Sequence, residues 1–228
     1  EVAGVRHIRV RGEAELKPQT IEVPGDPSSA AFPIVAALVT PGSEVTVTNV
    51  GMNPTRTGIY RMLEAMGADL SYSNERIVGG EPVADVTARH SALNAIEVPP
   101  EVVPSMVDEF PIFFVAAAMA NGVTRASGLE ELRVKESDRL ALMAGGLMAL
   151  GVHIDEGESS IAITGTGGEP LPGSPAHPPL IHAELDHRIA MSFAVAGLNT
   201  RGGLSIDDMS PVATSFPGFE AMLRGLAG

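Results

Sequence analysis

The segment GDPSSAAFPIVAALVTPGSEVTVTNV, residues 25–50, runs into NPTRTGIYRMLEAMGADL, residues 53–70. A polar start with Pro27 at the first helical position opens a nearly uninterrupted apolar run, Ala30 to Leu38, of helical length. The alternation of Glu44-Val45-Thr46-Val47-Thr48 then predicts a strand with one polar and one apolar face. After a loop, a second helical pattern closes at Gly67 and passes into another strand. The order is therefore cap, apolar helix, strand, loop, second helix, Gly, strand.

The same order recurs, and a recurring order is what identifies the architecture. The second unit reads PSMVDEFPIFFVAAAMANGVTRASGL, residues 104–129, followed by VKESDRLALMAGGLMALGVHI, residues 134–154. The third reads LDHRIAMSFAVAGLNTRGGLSIDDM, residues 185–209, and then SPVATSFPGFEAMLRGLAG, residues 210–228, where a closing strand is expected next. Asp26 precedes Gly67 by 41 positions and Asp108 precedes Gly151 by 43. Gly167–Pro179, rich in Gly and Pro, separates the second unit from the third. Residues 1–23 stand outside the pattern: GVRHIRV predicts a strand, and the extended stretch after it ends at the turn signal Pro24-Gly25. They are expected to be the tail of a preceding domain and a hinge, with residues 24–228 forming a second domain of three repeats, the last truncated.

Composition narrows the function. The 228 residues are 44% apolar, enough for a substantial core, and the reading is a soluble, cytoplasmic globular protein. Without cysteine the chain offers no disulfide framework, no thiolate nucleophile and no thiolate metal site. A net charge of −13 with no tryptophan and two tyrosines opposes nucleic-acid and membrane-surface partners. An anionic ligand must find a local cluster of scarce cations.

One such cluster is EELRVKESDRL, residues 130–140. If a helix begins near Val134, Lys135 and Arg139 are i,i+4 neighbours and Glu136 is i,i+3 to Arg139, so the three share a face and Asp138 points elsewhere. A charge run on a helix is usually a wet surface. Two cations and a carboxylate at a helix start also suit an anion with a proton to exchange. Asp26 reads as an ordinary N-cap, and Ser105–Asp108 fits a capping box, leaving open whether Asp108 does more. Asp186 caps the third unit. His187 and Arg188 follow it in the first turn, where the macrodipole disfavours cations. Arg188 therefore faces either a bound anion or a local carboxylate such as Asp186 or Glu184. Equivalent helix starts of repeated units tend to reach a common surface, so those near Asp108, Lys135 and Asp186 are expected to converge.

The segments PGDPSSAAFPIVAAL, NPTRTG, MVDEFPI, LRVKESDRL, LDHRIAMSF and ATSFP resemble, in order, the 5-enolpyruvylshikimate-3-phosphate synthase family, in its bacterial subgroup noted for glyphosate-tolerant members. The resemblance implies an α/β enolpyruvyl transferase fold: two similar domains, each of three βαβαββ-type repeats, joined by a hinge around a cleft. This chain would be the second half, with the missing N-terminal half as its partner. The family moves the enolpyruvyl group of phosphoenolpyruvate to the 5-hydroxyl of shikimate 3-phosphate without metal or organic cofactor. By the same resemblance, Asp108 is the base and Glu136 the proton donor. Lys135 and Asp108 contact shikimate 3-phosphate, Arg139 and Arg188 clamp phosphoenolpyruvate, and His187 is a close neighbour. Two positions depart from the pattern: Thr214 stands where many members carry Lys, and Glu131 where others carry Asn. The related UDP-N-acetylglucosamine enolpyruvyl transferase lacks the RVKESDR wording.

Overall fold

The computed structural model describes residues 9–13, 15–18 and 20–227, with Ala227 described by its backbone only. The strand expected at GVRHIRV lies outside the described residues except for Arg9 and Val10, which carry no strand assignment.

Three apolar helices form the centre: α1 (Pro27–Val39), α3 (Phe110–Met119) and α5 (His187–Gly197). Every residue of α1 except Ser29 is buried, and every residue of α3 is. A helix that is apolar all round has no solvent face to offer, so it must be enclosed. The three pack on one another, with Phe110, Phe113, Phe114 and Phe193 fully buried among them. Two further helices lie outside: α2 (Gly58–Ala65) and α4 (Arg139–Ala149). α2 is amphipathic, burying Ile59, Tyr60, Met62 and Leu63 while Arg61 and Glu64 stay exposed.

Each unit adds its own sheet. In the first, β1 (Glu44–Gly51), β2 (Asp69–Val78) and β3 (Glu81–Arg89) pair antiparallel in the order β1-β3-β2, with Val86 of the central strand opposite both Val47 and Tyr72. In the second, β4 (Val123–Ser127), β5 (His153–Glu156) and β6 (Ser160–Thr164) repeat the arrangement as β4-β6-β5. In the third, β7 (Leu180–Ile181) and β8 (Ser205–Ile206) pair in parallel, followed by α6 (Val212–Ser215) and α7 (Phe219–Ala227). Parallel bridges Gly25 to Val50, Glu97 to Arg125 and Leu171 to Thr200 bring an extended entry segment beside the chain that follows each central helix. That entry segment supplies the leading β of a βαβαββ unit.

The glycines that mark the units have a common cause. Gly67 and Gly151 end α2 and α4 at φ +91° and +85°, a left-handed conformation that costs an L side chain roughly 1–2 kcal/mol. After each, the next amide bonds back five residues, Ala68 to Leu63 and Val152 to Leu147.

Two local expectations are corrected. No helix begins at Val134: Glu130–Val134 is a 3₁₀ turn, Lys135 is extended, and α4 starts only at Arg139. The reason is Asp138, whose carboxylate accepts the Ala141 amide at 3.0 Å and so fixes the N-terminus one residue later. Ser105–Asp108 is not a capping box either. The Ser105 hydroxyl donates to the Val102 carbonyl, Asp108 lies in a separate 3₁₀ turn (Val107–Glu109), and α3 starts at Phe110.

Candidate active site

Freed from capping, the Asp108 carboxylate sits among three cations from two chain segments. Its Oδ1 lies 3.1 Å from Arg139 Nη1 and 3.5 Å from Lys135 Nζ, and its Oδ2 lies 3.8 Å from Arg188 Nη2. Burial pushes the Asp108 carboxyl up, but Arg188, Lys135 and Arg139 together outweigh it and hold the group below its ordinary value. The side chain is thereby kept as a carboxylate.

Arg139 is the hub. It is 1% exposed, and a guanidinium cannot shed its proton, so burial is tolerable only with anions around it. Nε donates to Asp186 Oδ2 at 2.8 Å, Nη1 to Asp108, and Nη2 to Glu136. Asp186 is itself fully buried. Besides Arg139 it accepts the Arg188 amide at 2.9 Å, the cap expected at the start of α5, and the Ser137 hydroxyl at 2.9 Å. Burial pushes the Asp186 carboxyl up, but the hydrogen bond and charge of Arg139 more than reverse that. One buried carboxylate therefore caps α5 and orients the first side chain of α4.

Arg188 does not turn back on Asp186 or Glu184. Its Nη1 donates to the Asp108 carbonyl at 3.1 Å and faces Glu109 Oε1 at 3.9 Å. His187 opens α5 beside it, partly buried, with its pKa lowered by burial and by the Arg188 charge. Lys135 is held from the other side by Glu131, 2.7 Å away, a bond that raises its pKa. Thr214 lies in α6, exposed, its hydroxyl turned onto the Pro211 carbonyl.

Lys135, Glu136 and Arg139 thus meet through a loop and not through a helix face. Sequence reasoning passed over Arg133, which makes that loop possible. Its Nη1 donates to both Asp138 oxygens at 3.1 and 2.9 Å, its Nη2 to Glu156 at 2.8 Å, and its Nε to the Glu158 carbonyl. It pins the turn before Lys135 to the β5-β6 connection. Nothing in the spacing of RVKESDR separates this anchoring arginine from Arg139.

The assembled cluster holds two basic arginines, a lysine and two outward carboxylates, Asp108 and Glu136, at the starts of α3, α4 and α5. Such a set can hold an anion and move protons at its edge. Among the described residues no group of His, Cys, Asp and Glu has the makings of a metal site. A concavity of about 470 Å³ elsewhere, lined by Met52, Tyr72, Arg76 and Ile77 on the first sheet, is mainly apolar and has no such cluster.

Comparison with known proteins places this geometry. The model of the family described as EPSP synthase (3-phosphoshikimate 1-carboxyvinyltransferase) matches residues 1–223. A 3-phosphoshikimate 1-carboxyvinyltransferase of Sphingopyxis alaskensis is 59% identical over 99% of this chain and 50% of its own length. The one from Zymomonas mobilis is 60% identical over 98% and 49% respectively. The chain therefore spans about half the length of the curated relatives it matches. EPSP synthase of Acinetobacter baumannii superposes with a TM-score of 0.88 at 45% identity, over 96% of this chain and 51% of that one. The enolpyruvyl transferase NikO of Streptomyces tendae shares the fold, with a TM-score of 0.65 at 17% identity. The α/β enolpyruvyl transferase fold implied by the resemblance is thus borne out, and the chain belongs to the EPSP synthase (3-phosphoshikimate 1-carboxyvinyltransferase) family.

Proposed function

We propose that this chain is the second half of an enzyme that transfers the enolpyruvyl group of phosphoenolpyruvate to the 5-hydroxyl of shikimate 3-phosphate, releasing phosphate, in the cytoplasm. Residues 24–228 are its second domain and residues 1–23 the tail of the first. The observation that carries this reading is the meeting of Asp108, Lys135, Glu136, Arg139 and Arg188, drawn from two of the repeats, within a single cluster.

The chemistry needs a base for the hydroxyl, an acid for the vinyl methylene, and cations for phosphates and carboxylates. Asp108, kept ionised by three cations, takes the hydroxyl proton. Glu136 protonates the methylene carbon as the new C–O bond forms, giving a tetrahedral adduct. Elimination then returns that proton and breaks the C–O bond to phosphate. Arg139 and Arg188 clamp phosphoenolpyruvate, and Lys135 contacts shikimate 3-phosphate close to Asp108. An anion on Arg139 takes the guanidinium corner that Glu136 now occupies, which frees the carboxyl for proton transfer. No metal or organic cofactor has a role in these steps. His187 borders the phosphoenolpyruvate side.

The partner is the complementary half, which closes the cleft over this wall. The test is phosphate release with phosphoenolpyruvate and either shikimate 3-phosphate or UDP-N-acetylglucosamine. It is run on the chain alone and on the chain combined with the N-terminal half of the Sphingopyxis alaskensis relative. Turnover is expected only for the combination and only with shikimate 3-phosphate. Turnover by the isolated chain refutes the half-enzyme assignment, and turnover of the nucleotide sugar alone refutes the substrate.

A further inference from the structure

A second carboxylate sits directly behind the cluster and has no part in the chemistry above. Glu109 is 3% exposed. It accepts a hydrogen bond from the Ser28 hydroxyl in the first turn of α1, and its Oε1 faces Arg188 Nη1 at 3.9 Å. Ser28 is buried too, and its Oγ accepts from Arg56 Nη2 at 3.1 Å. Arg56 also reaches Asp26 Oδ1, the cap of α1, at 3.5 Å. An unbroken polar path thus runs from the NPTRTG loop, through the start of α1, to the arginine on α5.

A buried carboxylate is costly unless charges and hydrogen bonds compensate it. Here burial pushes the Glu109 carboxyl up, Ser28, Arg188 and Arg56 offset this only in part, and Asp108 adds repulsion, so the group stays above its ordinary value. Tyr60, whose hydroxyl is bonded to the Pro27 carbonyl, is the other titratable neighbour. An apolar residue would satisfy packing at this position between α1 and α3, so the carboxylate calls for another reason. The geometry offers one: the Asp108 carbonyl and the Glu109 carboxylate flank the same Arg188 nitrogen, at 3.1 and 3.9 Å. They fix one corner of the guanidinium and leave the rest of the fork toward Asp108 and the cluster.

We propose that Glu109, locked by Ser28, is a positioning residue that aims Arg188 at phosphoenolpyruvate, so that the first repeat sets the geometry of an anion clamp in the third. This rests on the reading of Arg188 as a phosphoenolpyruvate ligand. The rival role is purely structural, an ion pair tying α1 to α3 and α5.

The test uses the whole enzyme, this chain fused to the N-terminal half of the Sphingopyxis alaskensis relative. The variants are Glu109→Gln, which keeps an acceptor for Ser28 but drops the charge, and Ser28→Ala, which keeps the charge but unlocks it. Glu109→Gln is expected to raise KM for phosphoenolpyruvate about tenfold while KM for shikimate 3-phosphate stays within twofold. Ser28→Ala is expected to show the same split at about threefold. An unchanged KM for phosphoenolpyruvate, or equal rises for both substrates, overturns the proposal. If Glu109→Gln does not fold, the Ser28→Ala split decides. Absence of turnover in the unmutated fusion is a distinct failure, that of the activity itself, and the proposal falls with it.

Discussion

Replacing Asp186 by Asn tests whether one buried carboxylate holds the cluster together. The substitution keeps a side-chain oxygen to cap the Arg188 amide but removes the charge facing Arg139 Nε at 2.8 Å. Breaking one side of a buried ion pair typically costs about 3–5 kcal/mol. Arg139 keeps Asp108 and Glu136, so the loss is smaller, about 2–3 kcal/mol. For a chain of this size each kcal/mol moves Tm by about 2–4 °C, which gives a fall of about 4–12 °C. Asp186→Ala also removes the cap, at about 1 kcal/mol more. Because the folded-state pKa of Asp186 is depressed, its contribution is fully present above the unfolded value, about 3.9, and is lost as pH falls through the folded value. The gap between wild type and Asp186→Asn in urea denaturation is therefore expected to be constant from pH 5 to 8 and to shrink below about pH 4. Equal stability at pH 7, or a gap undiminished at pH 3, refutes the charge-pairing account.

Other outcomes can be checked separately. In the combined enzyme, Glu136→Gln removes the carboxyl proposed to donate the proton and is expected to lower kcat by about 10²–10⁴, and near-normal kcat removes Glu136 from that proposed role. Gly146→Ala drives a methyl into the fully buried Phe193 ring, so overpacking of about 1–3 kcal/mol is expected in urea denaturation, against none if α4 and α5 part freely. His187 is expected to titrate below its ordinary 6.5, because burial and Arg188 disfavour the imidazolium, and an NMR midpoint above 6.5, assigned by comparison with His187→Gln, contradicts the described surroundings.

The central helices, the strands and the glycine stops were legible in the sequence because each depends on neighbours within a few residues. Apolar runs of helical length, rich in Ala and bounded by cap residues, read as buried helices, and Gly67 and Gly151 answer a local demand for positive φ. Repetition showed that one order of elements recurs three times, and the fold class came from the motifs that resemble the family. The site was legible only in its residue types. Periodicity assigned Lys135, Glu136 and Arg139 to a helix face, whereas Asp138 takes the cap and leaves Lys135 and Glu136 in a loop pinned by Arg133. A capping box written in Ser105–Asp108 gave way because Asp108 is drawn to cations 27, 31 and 80 positions away along the chain. Asp186 could be read as a cap but not as the partner of Arg139, and Glu109 could not be linked to Ser28 at all, 81 positions distant. Local patterning determined which elements form and that they repeat. Which charges face one another was decided only when three helix starts were packed together, because the energy of a buried charge depends on through-space neighbours that sequence distance does not record.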